Sequence, residues 1–262
     1  MIQATPFLRW VGGKKSILKE LNKRLPKYYN KYYEPFLGGA ALFFNTQASQ
    51  SYLSDINYNL ITTYKVVRDN IDELIVSLNI HKNNHNKEYY LKARDDIFTE
   101  KDPILIAALF IYLNKSCYNG LYRVNKSGRF NVPIGSRENP NIFDEDNLRN
   151  VSKVLQNVNI QHCSFSDVQI QEGSFYYLDP PYYKTYSGYN HEPFKENNHK
   201  ELSEFCDDIN NQGAYFMLSN SNTDFVKNLY RGYHIEKVLA SRFISCKSDG
   251  RKKAKELIIT NY

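Results

Sequence analysis

Short apolar runs alternate along most of the chain with segments in which apolar residues recur every three or four positions. The short runs predict buried strands, and the periodic segments predict amphipathic helices. Seven strands are predicted, at residues 31–34, 51–54, 159–163, 174–178, 214–219, 233–239 and 256–262. Helices are predicted between them at residues 17–25, which Pro26 ends, and at residues 41–48, 144–158, 199–211 and 223–231. This alternation predicts an α/β fold with a doubly wound sheet.

The middle of the chain departs from this alternation. Residues 57–114 are predicted to be helical, because apolar residues recur at helical spacing and residues 104–113 are almost all apolar. The segment that follows, 115–137, contains Asn-Gly and Ser-Gly pairs, which are typical of loops. We therefore expect a sheet domain built from residues 1–60 and 145–262, with a mostly helical insert at residues 61–144.

The turn after strand 174–178 carries the most specific chemistry. It consists of Asp179, Pro180, Pro181 and Tyr182, at a strand end where open α/β sheets bind their ligands. Asp179 and the Pro180 carbonyl can accept hydrogen bonds, Pro181 stiffens the turn, and Tyr182 offers a flat ring. Two acceptors beside an aromatic ring suit an exocyclic amino group on a planar base. The tetrapeptide alone also fits an ordinary strand that ends in an acidic turn.

Glycine turns near the start of the chain indicate a cofactor site. The pair Gly38-Gly39 lies between a predicted strand and a predicted helix, a layout that binds nucleotide-like cofactors. Asp55 ends the second strand and is placed for ribose hydroxyls. A phosphate-binding loop at residues 8–15 is excluded, because Leu8 replaces its first glycine and Lys15 replaces its Ser or Thr.

The distribution of charge points to a nucleic acid as the partner. The 262 residues carry a formal net charge of +6, and residues 103–137 contain no acidic side chain. Basic and aromatic residues are interleaved there, which suits phosphate contacts and rings that stack or wedge. These residues are Tyr112, Lys115, Tyr118, Tyr122, Arg123, Lys126, Arg129, Phe130 and Arg137. A charged surface exposed only to solvent is the alternative.

Composition narrows the remaining classes of function. No apolar run approaches eighteen residues and no signal peptide is evident, so we expect a cytoplasmic protein without a membrane partner. The four cysteines are scattered, which predicts free thiols in a reducing compartment. His81 and His85 are spaced four apart but lie among polar residues typical of a solvated loop, so no metal site is expected.

Six motifs, in this order along the chain, carry a resemblance to a known family. They are residues 7–14 (FLRWVGGK), 34–39 (EPFLGG), 54–57 (SDIN), 118–125 (YNGLYRVN), 130–133 (FNVP) and 179–182 (DPPY). The chain resembles Dam-type DNA adenine-N6 methyltransferases of the D12 class, α-group, over essentially its whole length. The resemblance implies a Rossmann-like methyltransferase sheet and a recognition insert that carries a β-hairpin loop.

The same resemblance implies S-adenosylmethionine as the cofactor and double-stranded DNA as the partner. Residues 179–182 would receive the N6 amino group of a flipped-out adenine, with Tyr182 stacked on the base. Phe165 would lie against the adenine of the cofactor. The cofactor site would comprise Trp10, Gly12, Lys14, Glu34, Phe36, Gly38, Asp55, Ile56, Phe165 and Asp179.

The insert would read the DNA sequence, for which the resemblance implies the target GATC. Arg9 and Arg123 are the candidates for contacts to guanine, and Asn125, Asn131 and Arg137 are candidates for contacts to phosphates. One aromatic residue of the hairpin would act as a wedge. The full set of expected DNA contacts is Arg9, Tyr118, Asn119, Leu121, Tyr122, Arg123, Asn125, Asn131, Pro133, Arg137, Arg251 and Lys252.

Two residues depart from the family pattern. Ala40 replaces the last glycine of the first turn, and Arg9 stands where relatives commonly carry lysine.

The polar, aperiodic residues 185–198 are expected to form a flap over the site. A monomer is expected, although a dimer is possible. Methylation of an amino group on RNA or protein, and a catalytically inactive DNA-binding relative, are the alternative functions.

Overall fold

Strands from both ends of the chain form one seven-stranded sheet. The computed structural model describes residues 2–184, 194–240 and 254–262. The strands are β1 (Tyr32–Glu34), β2 (Ser51–Asp55), β3 (Asn159–His162), β4 (Phe175–Leu178), β5 (Tyr215–Ser221), β6 (His234–Ala240) and β7 (Ala254–Thr260). Their order is β3-β2-β1-β4-β5-β7-β6, with β7 antiparallel to both neighbours and the other pairings parallel. The predicted doubly wound sheet is confirmed.

Helices cover both faces of this sheet. They are α1 (Leu18–Asn22), α2 (Ala41–Thr46), α3 (Tyr58–Asp69), α4 (Ile71–Asn83), α5 (Lys87–Thr99), α6 (Pro103–Ser116), α7 (Glu145–Leu155), α8 (Glu196–Asn211) and α9 (Asp224–Leu229). Alternate residues of β4 point to opposite faces, as the period of a strand requires. Tyr177 packs in the apolar cluster of α3, α4, α6 and α7, whereas Tyr176 packs in that of α8 and α9.

Helices α1, α2, α7, α8 and α9 differ from their predicted bounds by up to three residues at an end, and the differences in α1 and α8 bear on other predictions. The first is interrupted: a short 3-10 helix precedes α1, which ends at Asn22, and Leu25 lies in a turn where its N–H donates to the Asn22 carbonyl. Pro26 explains this, since it disfavours helical geometry at the preceding residue. The second, α8, begins at Glu196, so residues 196–198 are helical rather than part of an aperiodic polar segment. The rest of the predicted flap, 185–193, lies outside the described residues.

The insert is built around α6. Pro103 stands in the first turn, where a missing N–H costs nothing, and Asp102 caps the helix by accepting hydrogen bonds from the N–H groups of Ile104 (2.7 Å) and Leu105 (3.2 Å). Residues 106–114 are all buried, and α6 packs against α3, α4 and α5. The apolar cluster of the insert continues into one face of the sheet, so the expected domain boundary near residue 60 stays a prediction.

A narrow hairpin follows α6. The Asn125 N–H donates to the Arg129 carbonyl (2.9 Å) and the Asn131 N–H to the Arg123 carbonyl (3.1 Å), with antiparallel bridges at Val124–Phe130 and Cys117–Ile134. The Asn125 side chain accepts from the N–H groups at the hairpin tip, those of Ser127 and Arg129. The predicted β-hairpin of the insert is therefore present.

Loss of the α6 cap should destabilise the protein. We expect Asp102→Ala to lower the free energy of unfolding by about 1 kcal/mol, because two N–H groups of the first turn lose their acceptor. Urea denaturation followed by circular dichroism measures this. Asp95→Ala, an exposed position within α5, serves as the control and should cause no loss. Equal destabilisation by both variants would contradict the capping role of Asp102.

Candidate active site

The carboxyl ends of β1, β2 and β4 lie together at one edge of the sheet. β1 pairs in parallel with β2 on one side and with β4 on the other, so the strand order reverses between β1 and β4. Open α/β sheets bind ligands in the crevice at such a reversal. Glu34, Asp55 and Asp179 stand at or just beyond the ends of these three strands. The sequence-predicted catalytic turn and cofactor half-site are thus brought to the same edge.

Lys14 connects the catalytic turn to the first glycine turn. Its Nζ atom lies 2.7 Å from Asp179 Oδ1 and donates a hydrogen bond to the Gly12 carbonyl at 2.7 Å. The same ammonium lies 4.7 Å from the centre of the Tyr182 ring, within range of a cation–π interaction. Burial raises the pKa of Asp179 to about 6, and the Lys14 charge lowers it. A nearly buried ion pair therefore sits above the ring of Tyr182.

The rest of the catalytic turn is held by neighbouring strands. The Tyr182 hydroxyl donates to Glu256 Oε2 on β7 at 2.9 Å. The Tyr183 N–H donates to Asn220 Oδ1 (3.3 Å), and the Ser221 hydroxyl donates to the Tyr183 carbonyl (3.0 Å). Burial, followed by the charges of Asp179 and Glu256, raises the pKa of Tyr182 well above its ordinary value, so its hydroxyl remains a donor.

The turn after β1 approaches Trp10 closely. Gly38 has a φ of +44°, and a Cβ atom there would lie 2.7 Å from the Trp10 ring. The Tyr64 hydroxyl donates to the Gly38 carbonyl (3.1 Å), and Asp55 Oδ2 accepts from the Gly38 N–H (3.2 Å). Ala40, which departs from the family pattern, begins α2 with a φ of 52°. This left-handed geometry is disfavoured for alanine, so the departure carries a conformational cost that glycine would avoid.

Two buried acids lie beside this turn. Burial raises the pKa of Glu34 to about 8, against the hydrogen bond that its Oε2 accepts from the Tyr32 hydroxyl at 2.7 Å. Glu34 is therefore largely protonated at pH 7. Burial raises the pKa of Asp55 to about 6, although its carboxylate accepts from the N–H groups of Asn57 and Gly38. Asp55 thus braces the turn after β1 against the start of α3.

Aromatic rings border the same edge of the sheet. The rings of Phe36 and Phe165 are stacked with their centres 5.4 Å apart, and Phe194 contacts both. Ile56, at the end of β2, exposes 51% of its surface. Planar and apolar groups are therefore available beside the acids, as binding of an adenine ring requires.

Arg9 is clamped against the insert. The Asn114 side chain accepts from the Arg9 N–H at 2.8 Å and donates to the Arg9 carbonyl at 2.7 Å. The stem of Arg9 crosses Gly120, where a Cβ atom would lie within 2.7 Å of Arg9 Cβ and Cδ. This contact brings the two candidate DNA-reading segments, around residues 9 and 118–123, into one surface.

The two tyrosines of the recognition segment have different environments. The ring of Tyr122 is 8% exposed and stacks on Trp10 with centres 5.6 Å apart, whereas Tyr118 is 44% exposed. Asn119 adopts a φ of 56° beside it. Tyr122 therefore packs the insert against the sheet domain, and of these two rings Tyr118 is the accessible one.

The other predicted DNA contacts are distributed along the hairpin. Arg123 donates from Nε to Asn131 Oδ1 (2.6 Å) and from Nη2 to the Asn131 carbonyl (3.0 Å). Leu121 is half-buried, and Pro133 and Arg137 are exposed. Arg251 and Lys252 lie outside the described residues.

Comparisons with known proteins identify the family. Residues 10–244 match the family model described as D12 class N6 adenine-specific DNA methyltransferase. The chain is 43% identical to the type II methyltransferase M.MjaIII of Methanocaldococcus jannaschii, over the full length of both. It is 35% identical to the type II methyltransferase M1.LlaDCHI of Lactococcus lactis subsp. cremoris, over 100% of this chain and 96% of the relative. For the DNA adenine methylase of Escherichia coli K12 the identity is 32%, with 96% and 93% covered.

The chain belongs to the D12 class of N6 adenine-specific DNA methyltransferases. It is thus an enzyme that transfers a methyl group from S-adenosylmethionine to the N6 atom of adenine in DNA. The residues at the sheet edge suit this cofactor. Carboxylates attract its positive charges and can accept hydrogen bonds from its ribose hydroxyls, and the stacked pair of Phe36 and Phe165 suits its adenine ring. The expected family and cofactor are confirmed, and the RNA, protein and inactive alternatives are set aside.

Two contacts in this D12 methyltransferase were missed in the sequence. Asn114 bonds residue 9 across 105 positions, and Glu256 bonds Tyr182 across 74. A weak signal existed for each, since both are polar residues at the border of a strongly apolar run, Asn114 after residues 104–113 and Glu256 before residues 257–259. The partner of such a residue depends on tertiary packing, which local patterns do not reveal.

The histidine and cysteine predictions have mixed outcomes. His81 is buried at the end of α4 and its Nδ1 atom pairs with the Tyr89 hydroxyl at 2.8 Å, so the expectation of a solvated loop is wrong for His81. Residues 84–86 do form a mostly exposed connection between α4 and α5. The buried face of α4 comprises Leu74, Ile75, Leu78 and His81, so the histidine occupies a buried position of the helix. In the described part of the chain no cluster of three potential metal ligands occurs, and no helix has the length and apolarity to cross a membrane. Cys117, Cys163 and Cys206 are free thiols.

Crowding at Gly38 gives a prediction. We expect Gly38→Ala to shift the fluorescence emission of Trp10, the single tryptophan, because the new methyl group must displace its ring. It should also lower the free energy of unfolding by more than about 1 kcal/mol, since positive φ and a steric clash add together.

Gly128→Ala is the matched control for this prediction. Gly128 also has a positive φ, +77°, but no atom lies within 4 Å of a Cβ built there. It should cost only the backbone strain and leave the emission unchanged. The same emission shift in both variants would contradict the contact between Gly38 and Trp10.

Proposed function

We propose that this D12 methyltransferase methylates the adenine of GATC sites in duplex DNA, with a flipped-out base held by residues 179–182. Asp179 and the Pro180 carbonyl accept the two hydrogens of the N6 amino group, and Tyr182 stacks on the base. These hydrogen bonds turn the nitrogen lone pair toward the methyl group. S-adenosylmethionine would supply an electrophilic methyl group to this nitrogen, and the amino group would release one proton to solvent.

The position of the Lys14 ammonium is the observation that carries this proposal. It lies 2.7 Å from Asp179 Oδ1 and 4.7 Å from the centre of the Tyr182 ring. An adenine amino group in the proposed complex uses the same carboxylate and lies at the same ring. The turn thus already holds an N–H donor, the Lys14 ammonium, between an acidic acceptor and an aromatic face. In the proposed complex, Lys14 withdraws toward Gly12 when the base enters.

We propose that the cofactor lies in the crevice between β1 and β4. Asp55 and Ile56 contact its ribose and adenine, with Phe165 and Phe36 along the ring, and Trp10 and Gly38 shape the wall. Gly12, Lys14, Glu34 and Asp179 surround its reactive end. The bound cofactor supplies an electrophilic methyl group, and the chain contributes position and electrostatics.

DNA recognition is proposed for the surface that joins Arg9 to the hairpin. Arg9 and Arg123 contact guanine, since arginine suits the O6 and N7 acceptors of that base. Tyr118, the accessible tyrosine, is the wedge, and Asn119 and Leu121 contact bases beside it. Asn125, Asn131, Pro133 and Arg137 contact the DNA backbone, together with Arg251 and Lys252. Arg9 takes the place of the lysine that relatives commonly carry, and its planar fork of donors differs in geometry from an ammonium group.

Protection of DNA in a restriction–modification system is the biological role that we propose. Two similar proteins are named type II methyltransferases. A monomer acting in the cytoplasm on one strand at a time suits such a role.

The protonation state of Asp179 predicts a pH profile. Its carboxylate must be ionised to accept the amino hydrogens, and its pKa is about 6, so kcat/KM for DNA should rise as pH increases through about 6 and then level off. Lys14 lowers this pKa. We therefore expect Lys14→Met to move the midpoint of the profile to higher pH.

Lys15→Met provides the control, because Lys15 is exposed and next in the chain. It should leave the midpoint in place. A midpoint that stays unchanged or falls in Lys14→Met would contradict the control of Asp179 by Lys14.

Target choice is tested with labelled S-adenosylmethionine and three duplexes that carry GATC, GTTC or CATG at one site. We expect label in GATC alone, and loss of that label in Asp179→Ala. Asp224→Ala, which removes a carboxylate from the surface pair with Lys227, should retain activity.

The pattern of labelling separates the parts of the proposal. Equal label in all three duplexes would refute GATC as the target while keeping the chemistry. Label in GATC and CATG would refute the Arg9 contact to the outer guanine. Label that survives in Asp179→Ala would refute the proposed catalytic turn.

A further inference from the structure

We propose that Glu256 is a positioning residue for methyl transfer, which fixes the ring of Tyr182 through a hydrogen bond to its hydroxyl. The inference rests on the proposed stacking of Tyr182 on the target base. It adds to the site a residue from the antiparallel part of the sheet, 74 positions beyond Tyr182.

The bond joins two groups that are largely shielded from water. The Tyr182 hydroxyl lies 2.9 Å from Glu256 Oε2, and Glu256 exposes only 9% of its surface. A carboxylate loses much of its hydration at such a position, so it is retained there only with a strong partner. Hydrogen bonds to ionised acceptors are shorter and stronger than those between neutral groups. The bond to Glu256 is therefore a strong restraint on the position of the ring.

The antiparallel direction of β7 places Glu256 at the active edge. β7 lies between β5 and β6, and Glu256 pairs with Ser221 at the end of β5 and with Val238 of β6. The end of a parallel strand and the start of an antiparallel one meet at the same edge. A residue near the start of β7 thus faces the catalytic turn that follows β4.

The ring of Tyr182 is held at its tip while the backbone beyond it is held by β5. The Tyr183 N–H donates to Asn220 Oδ1, and its carbonyl accepts from the Ser221 hydroxyl. These bonds fix the main chain beyond Tyr182 rather than rotation of its ring about the side-chain bonds. The bond to Glu256 restrains that rotation, and it lies at the opposite end of the ring from the backbone.

Such a restraint acts on the reaction through geometry. A base that stacks on a fixed ring presents its amino group to Asp179 in one orientation, and in-line transfer depends on that orientation. Without the restraint the base still binds, but the aligned arrangement is populated less often. The effect therefore falls on the rate of transfer rather than on affinity for the cofactor.

A double-mutant cycle in single-turnover methyl transfer tests the inference, with a cognate duplex and saturating S-adenosylmethionine. The proteins are the wild type, Tyr182→Phe, Glu256→Ala and the double variant. We expect each single variant to be about tenfold slower, which is the effect of losing one hydrogen bond to a charged group. The double variant should be no slower than Tyr182→Phe, because the same bond is lost in both. Glu256→Gln, whose amide oxygen accepts from the hydroxyl, should recover most of the rate.

Glu236→Ala is the matched control. Glu236 is a glutamate of the adjacent strand β6 whose side chain is 57% exposed and pairs with Arg24. It should transfer methyl at the wild-type rate. Thermal denaturation shows which variants fold. In each of those, the dissociation constant for S-adenosylmethionine should equal that of the wild type.

The outcomes distinguish failure of the inference from failure of the proposed function. A wild type that methylates no duplex, or a Tyr182→Ala variant as fast as the wild type, would refute the proposed function of the site. Rate losses that multiply in the double variant, or a Tyr182→Phe variant at the wild-type rate, would refute the positioning role of Glu256. The measurement on Tyr182→Phe needs no substitution of Glu256. It therefore tests the positioning role even when Glu256→Ala does not fold.

Discussion

The parallel pairing of β1 with β4 is the constraint on which the site depends. Tyr32 pairs with Phe175 and Tyr33 with Tyr176, so the two strands end side by side. This register brings the turn after Glu34 next to Asp179, although the residues are far apart in sequence. Both strands are buried along their whole length, and a slip of one residue would exchange the two apolar faces of the sheet. The core packing therefore also sets the geometry of catalysis.

Charge at this edge is balanced by a small number of groups. Glu34 is largely protonated at pH 7, whereas Asp179 is paired with Lys14. The site thus avoids a further buried negative charge at Glu34, beside Asp179. In the proposed complex, Asp179 exchanges this ammonium partner for the amino group of the base. Entry of the base is then favoured when the loss of the ion pair is offset by stacking and by the new hydrogen bonds.

Most of the sheet, and the position of the Asp-Pro-Pro-Tyr turn at the end of β4, could be predicted from the sequence, because strand periodicity and this motif are local. Helix ends, burial and long-range contacts were predicted less well, because they depend on tertiary packing. The helix before Pro26 is shorter than its apolar spacing suggests, and His81 is buried by rings that come from other helices. The bonds of Asn114 to Arg9 and of Glu256 to Tyr182 join residues far apart in the chain, so no local pattern encodes the partner.

The position of β7 has a consequence for synthesis of the chain. β7 follows β6 in sequence, yet it inserts between β5 and β6 and pairs with both. As the chain leaves the ribosome, β6 emerges with no neighbour in the sheet, and β5 presents an open edge until β7 arrives. Unpaired edges of this kind favour association between chains. β7 therefore joins β6 to the sheet and covers the edge of β5, which lowers the tendency of the nascent protein to aggregate.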